Sequence, residues 1–193
     1  DISIQAATKY VGGHSDIMFG TISANARAWP QVSEAIRLLG ICTGPDDVFL
    51  ALRGIRTLAV RLAHHQRAAL DMANWFATRP EVQRVLYPAL ASDPGHAIWK
   101  RDFTGATGLF SIVLKPAPQS AVDKFLDTLT LFGMGYSWGG FESLVIPFDC
   151  SSYRTATTWN PGGPTLRFHI GLENLDDLKA DLERGFDAFN AAG

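Results

Sequence analysis

Apolar residues fall into short blocks at both ends of the chain and recur at helical spacing between them. "DISIQ" (1–5) predicts a short strand and "TKYVGGHS" (8–15) a loop. "DIMFGTISA" (16–24) is nearly all apolar, which predicts a strand in a sheet covered on both faces. Residues 28–39 predict a helix that stops at Gly40. The stretch from Gly44 to Pro80 predicts the dominant helical segment. Pro45 and the Asp46–Asp47 pair suit its first turn, and Gly54 is a candidate break. Its second part places Leu58, Leu62, Ala69, Met72, Ala73 and Phe76 on one helical face.

Beyond residue 80 the pattern changes. "VQRVLYP", "TGLFSIVLK", "FGMGYSW" and "TLRFHIG" predict strands, with helices over "AVDKFLDTL" and "NLDDLKADLERGFDAFNAA". This alternation predicts a compact α/β unit. The expected boundary lies in the long helix, with one domain over 1–70 and a second over 71–193. The acidic positions from Asp176 to Glu183 read as the last helix's solvated face.

Composition changes this picture little. A chain of 193 residues with 47% hydrophobic and 19% charged residues is an ordinary globular composition. A net charge of −2 gives no reason to expect nucleic acid or an anionic membrane as partner. No apolar run approaches the ~20 residues that span a bilayer, and no secretory leader is read at the strand-like start. Cys42 and Cys150 lie far apart and read as free, mostly buried thiols of a reducing cytoplasm. No histidine has a partner at metal-ligand spacing, so no metal is expected. His64, His65 and His169 read as structural; the loop residue His14 reads as making local hydrogen bonds, with reach to the rim of a site at Lys9 as the alternative. Glu142 and Ser143 read as loop-capping residues. Trp29, Trp75, Trp99 and Trp159 read as residues that pack or line interfaces rather than touch substrate.

The chemistry turns on Lys9, between Thr8 and Tyr10 and shortly before Gly12–Gly13. Two readings stand on physical grounds. It is a surface lysine in a loop, or it is a partly desolvated lysine whose amine attacks a carbonyl. In the second, Thr8 offers a hydroxyl to a phosphate and the glycines admit a bulky ligand.

Five motifs in order, "SIQAATKYVGGHSDIMFG", "RGIRTLAVR", "KRDFTGATGLFSIVL", "YSWGGFESL" and "LRFHIGLENLDDLKADL", are spread from residue 3 to residue 182. Together they resemble the pyridoxal-phosphate enzymes of cysteine and methionine metabolism. The resemblance implies the C-terminal half of an aspartate aminotransferase-like (type I) fold: the end of the large cofactor domain, the long connecting helix and the small α/β domain. It implies pyridoxal 5'-phosphate as cofactor, with Lys9 its covalent anchor and the catalytic base, and Thr8 a ligand of its phosphate. Many family members have a serine two residues before that threonine; here it is Ala6. Arg167 matches the arginine that pairs with the substrate α-carboxylate, and Ser137 and Trp138 match the strip lining the substrate site. Tyr136 stands where γ-active relatives usually have glutamate.

The implied reaction is carbon–sulfur β-elimination of L-cystathionine to homocysteine, pyruvate and ammonia, in methionine biosynthesis. The alternatives are γ-side chemistry on the same substrate class, or a catalytically incomplete fragment that serves only in assembly. The implied partners are a small amino-acid substrate, the N-terminal half of the same enzyme and further copies in a cytoplasmic homotetramer.

Overall fold

Ile2–Gln5 (β1) pairs antiparallel with Thr21–Ala24 (β2), Ile2 opposite Ala24 and Gln5 opposite Thr21. The computed structural model describes residues 1–193, which divide into two compact units, Asp1–Val60 and Arg61–Gly193. In the first unit the strand expected over 16–24 is confined to Thr21–Ala24. The reason is local. The Phe19 N–H donates to the Thr8 hydroxyl (2.8 Å) and its carbonyl accepts from the Thr8 N–H (2.9 Å), so Phe19 is taken from any ladder. The expectation of a covered sheet also fails within this chain, since β1 is exposed throughout.

Trp29–Leu39 (α1) begins with a proline in its first turn and ends at Gly40, whose φ of 64° closes the helix. Pro45–Ile55 (α2) carries Asp46 and Asp47 in its first turn, where carboxylates favour the helix dipole. The long segment does break in two, but not at Gly54. That residue stays helical and buried, and Leu58–Ala77 (α3) starts after Arg56 and Thr57. The unit division at 60/61 lies inside α3, where the sequence placed the change at 70/71.

The second unit is one five-stranded sheet. Its order is Val82–Leu86 (β3), Leu109–Leu114 (β4), Thr165–His169 (β7), Leu144–Pro147 (β6) and Gly133–Met134 (β5). All neighbours are antiparallel except the parallel pair β5 and β6. Helices His96–Asp102 (α4), Gln119–Thr128 (α5) and Leu175–Ala192 (α6) complete the α/β unit. Strand β6 and helix α4 were not foreseen. Both are short, and β6 lies just after the "GGFES" stretch, which reads as loop.

Strand alternation decides which residues face where. On β7, Leu166 and Phe168 join Phe110, Ile112 and Leu114 of β4 in a core completed by Phe76 of α3, Phe125 of α5 and Leu178, Leu182 and Phe186 of α6. Phe76 packs 4.9 Å from Phe168, and Phe125 4.9 Å from Phe186, ring centre to ring centre. The odd positions of β7, Thr165, Arg167 and His169, therefore point to the other face. Arg167 stands there on the middle strand, flanked by Ser111 and Ile146.

Two expectations are corrected. Asp181 is not on the solvated face of α6 but fully buried, although Asp176, Asp177 and Glu183 are exposed. Its carboxylate accepts from the N–H groups of Thr130 and Leu131 and the Thr130 hydroxyl. Burial pushes its pKa up, but these bonds and Arg184 outweigh that and hold it below the usual range. Cys42 is exposed, whereas Cys150 is buried as expected. No helix is long and apolar enough to cross a membrane.

Candidate active site

Lys9 sits in a tight turn closed by backbone hydrogen bonds. Its N–H donates to the Ala6 carbonyl (3.0 Å), the Gly12 N–H to Ala7 (2.8 Å) and the Gly13 N–H to Lys9 itself (2.8 Å). Ala7 is fully buried beneath the turn, while Thr8 and Lys9 are half-buried. Helix α2 braces the turn from behind. A side-chain carbon on Gly54 would lie 2.2 Å from the Val11 carbonyl oxygen and 2.6 Å from that of Gly12, so only glycine lets the helix approach. The His14 ring bonds the Gly12 carbonyl through Nδ1 (2.9 Å), a local contact within the same loop.

This turn fits an aldehyde that carries a phosphate. It presents a primary amine and an adjacent hydroxyl on an ordered backbone. The Thr8 hydroxyl accepts the Phe19 N–H at 2.8 Å and donates only at 3.2 Å to the Phe19 carbonyl. Redirecting that donor to a phosphate costs the weaker of the two bonds. Ala6 adds no hydroxyl of its own.

The second cluster lies in the other unit. Arg167 Nη2 donates to the Tyr136 carbonyl at 2.8 Å, and its guanidinium lies 5.4 Å from the centre of the Trp138 ring. These two contacts fix the planar fork. Arg167 enters none of the chain's salt bridges. Burial lowers its pKa, and the phenols of Tyr136 and Tyr153 act in the opposite sense. A half-buried, oriented guanidinium without a carboxylate of its own suits a carboxylate that arrives with a ligand. Ser137 and Trp138 are half-buried beside it, while the Tyr136 side chain is 80% exposed.

The strip from Tyr136 to Ser143 is tied to β7 and the turn after it at successive points. The Gly139 N–H donates to His169 Nε2 (3.1 Å), and the Leu172 N–H to the Phe141 carbonyl (2.8 Å). Glu173 accepts both the Ser143 N–H (2.6 Å) and its hydroxyl (2.8 Å). The Ser143 oxygen in turn accepts the Gly171 N–H (2.9 Å). Ser143 is thus the capping residue expected, whereas Glu142 is exposed. Glu173 was missed, although it stands in the "LRFHIGLEN" motif. His65 of α3 contacts the Ile170 carbonyl through Nδ1 (2.8 Å), and its ring lies 5.3 Å from that of His169.

The structure thus brings Lys9 and Thr8 together on one turn, and Arg167 together with the 136–138 strip through the Tyr136 carbonyl and the Trp138 ring, in separate units. No three histidine, cysteine or acidic side chains gather as a metal site would require.

Comparison with known proteins gives a coherent result. The family model described as "Cys/Met metabolism PLP-dependent enzyme" matches residues 1–187. The chain is 50% identical to the cystathionine beta-lyase of Salmonella typhimurium over 96% of its own length and 48% of that protein's. Against the cystathionine beta-lyase of Escherichia coli the figures are 48%, 96% and 48%. The crystal structure of cystathionine gamma synthase from Xanthomonas oryzae pv. oryzae, in complex with cystathionine, superposes with a TM-score of 0.88 at 33% identity. That match covers all of this chain and 51% of the other. The chain spans about half the length of the curated relatives it matches.

Proposed function

Because this chain belongs to the pyridoxal-phosphate enzymes of cysteine and methionine metabolism, we propose that it forms the C-terminal half of a lyase that cleaves L-cystathionine on the β side. The observation that carries this reading is Arg167, fixed by the Tyr136 carbonyl and the Trp138 ring and paired with no carboxylate. Its fork meets the substrate α-carboxylate with two parallel hydrogen bonds. Ser137 and Trp138 line the place where that carboxylate rests.

Lys9 would hold the cofactor through its aldehyde carbon, and the Thr8 hydroxyl would donate to its phosphate. When bound, pyridoxal 5'-phosphate takes up the electron pair left at Cα. The Lys9 amine would accept the Cα proton at Nζ and deliver it to the departing sulfur. The Cα–H and Cβ–S bonds break. With one water consumed, the products are homocysteine, pyruvate and ammonia. Arg167 sets the orientation of the Cα–H bond, a positional contribution that costs no ordering during the reaction.

Tyr136 supports the β side. A carboxylate there would attract the far amino group of cystathionine, and a phenol does not. The higher identity to the beta-lyases than to the gamma synthase supports the same choice. The assembled protein is read as a homotetramer in the cytoplasm, with the N-terminal half supplying the remaining cofactor contacts.

The test is product identity. The full-length holoenzyme given L-cystathionine is expected to release pyruvate, and its Lys9→Ala variant neither pyruvate nor ammonia above background. Accumulation of 2-oxobutyrate in place of pyruvate would overturn the β assignment. Turnover by Lys9→Ala above a few per cent of wild type would overturn the role of Lys9.

A further inference from the structure

The substrate-facing strip has an internal support that the reaction itself does not use. Arg167 is oriented by a backbone carbonyl, that of Tyr136, so its aim is only as firm as the backbone at 136. Three residues on, Gly139 takes a φ of 85°, a left-handed conformation that turns its N–H inward to His169 Nε2 at 3.1 Å. His169 is 1% exposed and two residues from Arg167 on the same face of β7. The His65 ring lies against it, and His65 is in turn held to the Ile170 carbonyl.

We propose that His169 is a positioning residue for substrate. Its Nε2 acceptor pins the Gly139 N–H, which fixes the strip from Tyr136 to Gly140 and so the direction in which Arg167 presents its fork. The inference rests on the reading of Arg167 as the carboxylate site.

The chemistry of the ring defines the device. Nε2 lies 3.1 Å from the Gly139 nitrogen and 3.2 Å from the Gly140 carbonyl oxygen. An imidazole with a bare Nε2 accepts from Gly139. One with a proton there donates to Gly140 and leaves the buried Gly139 N–H facing a donor. The two arrangements exclude each other, and only the first satisfies the inward N–H. Burial, followed by smaller effects of His65 and Arg167, lowers the His169 pKa to about 4, against the opposing effect of the Gly140 carbonyl. The ring is therefore neutral under ordinary conditions.

Three variants of the full-length holoenzyme separate positioning from simple packing. In His169→Gln the amide oxygen reaches as far from the backbone as Nε2 does. In His169→Asn it falls short, and His169→Leu fills the space with no acceptor. The readouts are the KM and kcat for L-cystathionine, followed as ammonia, and hydrogen exchange at the Gly139 amide. Ammonia is released by elimination on either side of the sulfur, so the assay does not depend on which side is cut.

His169→Leu and His169→Asn are expected to raise KM about tenfold, the size of one lost buried hydrogen bond. Both should keep kcat within about threefold and speed exchange at Gly139. His169→Gln is expected to restore both KM and protection. Should His169→Leu not fold, the Gln and Asn pair decides alone, and equal KM for the two would overturn the proposal. Unchanged Gly139 protection in His169→Asn, or faster exchange with no change in KM, would overturn it as well. Wild-type enzyme that releases no ammonia from cystathionine would instead defeat the reading of function, while the exchange data still judge the tie between His169 and the strip.

Discussion

Arg167 is the residue whose surroundings bear most directly on its proposed work. Its charge is half-buried, its plane is held on a tryptophan ring, and no acidic side chain answers it. Lysine at 167 keeps the charge but offers a point rather than a fork. Arg167→Lys in the full-length enzyme is expected to raise KM for cystathionine by roughly 10- to 100-fold, matching the ~1.5–3 kcal/mol of one charge-assisted bond. The cofactor should still bind, and an unchanged KM in steady-state assays would remove the carboxylate role. His169 makes a prediction about acid. Its folded pKa of about 4 lies below the ordinary 6.5, so the folded state favours the neutral ring. The stability tied to that preference is complete above about pH 6.5 and is lost as pH falls through 4. It amounts to something on the order of 3 kcal/mol. His65, whose pKa burial also lowers, adds loss of the same sign, and Arg167 is the other charge facing the ring. Denaturant unfolding of wild type and His169→Gln from pH 7 to 4 should show the shallower fall in the variant, and parallel curves would refute this. At this scale Lys9, Thr8 and Arg167 were legible as motifs. His169 and Asp181 were legible only as residue types, because their partners include backbone N–H groups at 139 and at 130–131. A backbone donor leaves no mark in a sequence, so a buried aspartate on an acidic helix looks the same as its solvated neighbours.

The elements show the same division between pattern and contact. Helical spacing along α3 names Leu58, Leu62, Ala69, Met72, Ala73 and Phe76; the last four are buried, while Leu58 and Leu62 are half-buried. Strand patterns found β3, β4 and β7, whose core-facing residues are large and apolar. Pattern alone missed β6, which is only four residues long. It also extended β2 back through Phe19, where a threonine side chain substitutes for a ladder partner. Gly54 was read as a helix break because glycine lowers helix propensity. Its actual use is proximity, since the backbone of the Lys9 turn passes where a methyl group would stand. Gly54→Ala must therefore push the helix and turn apart against two backbone oxygens, which do not yield as a flexible side chain would. It is expected to cost about 1–3 kcal/mol of overpacking and to weaken cofactor retention in the full-length enzyme. Gly44→Ala is the control: its added carbon meets only an Asp47 oxygen at 3.7 Å, with backbone angles that alanine adopts. Thermal unfolding and cofactor titration of the two variants would separate them, and equal behaviour would show that the contact carries no constraint.

At the scale of the whole chain the two units differ in how they satisfy their apolar side chains. Beyond residue 60, Phe76, Phe125, Phe168, Phe186 and the aliphatic residues around them are fully buried in one core. Among residues 1–60 the buried hydrophobic residues are Ala7, Ile17 and Ala51. Ile4, Leu38, Leu39, Ile41 and Phe49 are each more than half exposed, and α1 buries no residue at all. Apolar area on this scale is held against a partner surface in a stable protein, and β1 also presents an unpaired edge. Both features follow if the N-terminal half and neighbouring subunits cover this unit. The expected outcome is asymmetric. Residues 61–193 expressed alone should be monomeric, unfold cooperatively and show native-like dispersion, because their core is internal. Residues 1–193 should associate in a concentration-dependent way and bind little cofactor, even though they include the same core. Analytical ultracentrifugation of both over a range of concentrations tests this directly. Adding the N-terminal half to residues 1–193 should suppress the association and restore cofactor binding. Residues 1–193 that stay monomeric at high concentration would show that the apolar surface of the first unit does not need covering. That result would remove the physical reason for assigning it to an interface.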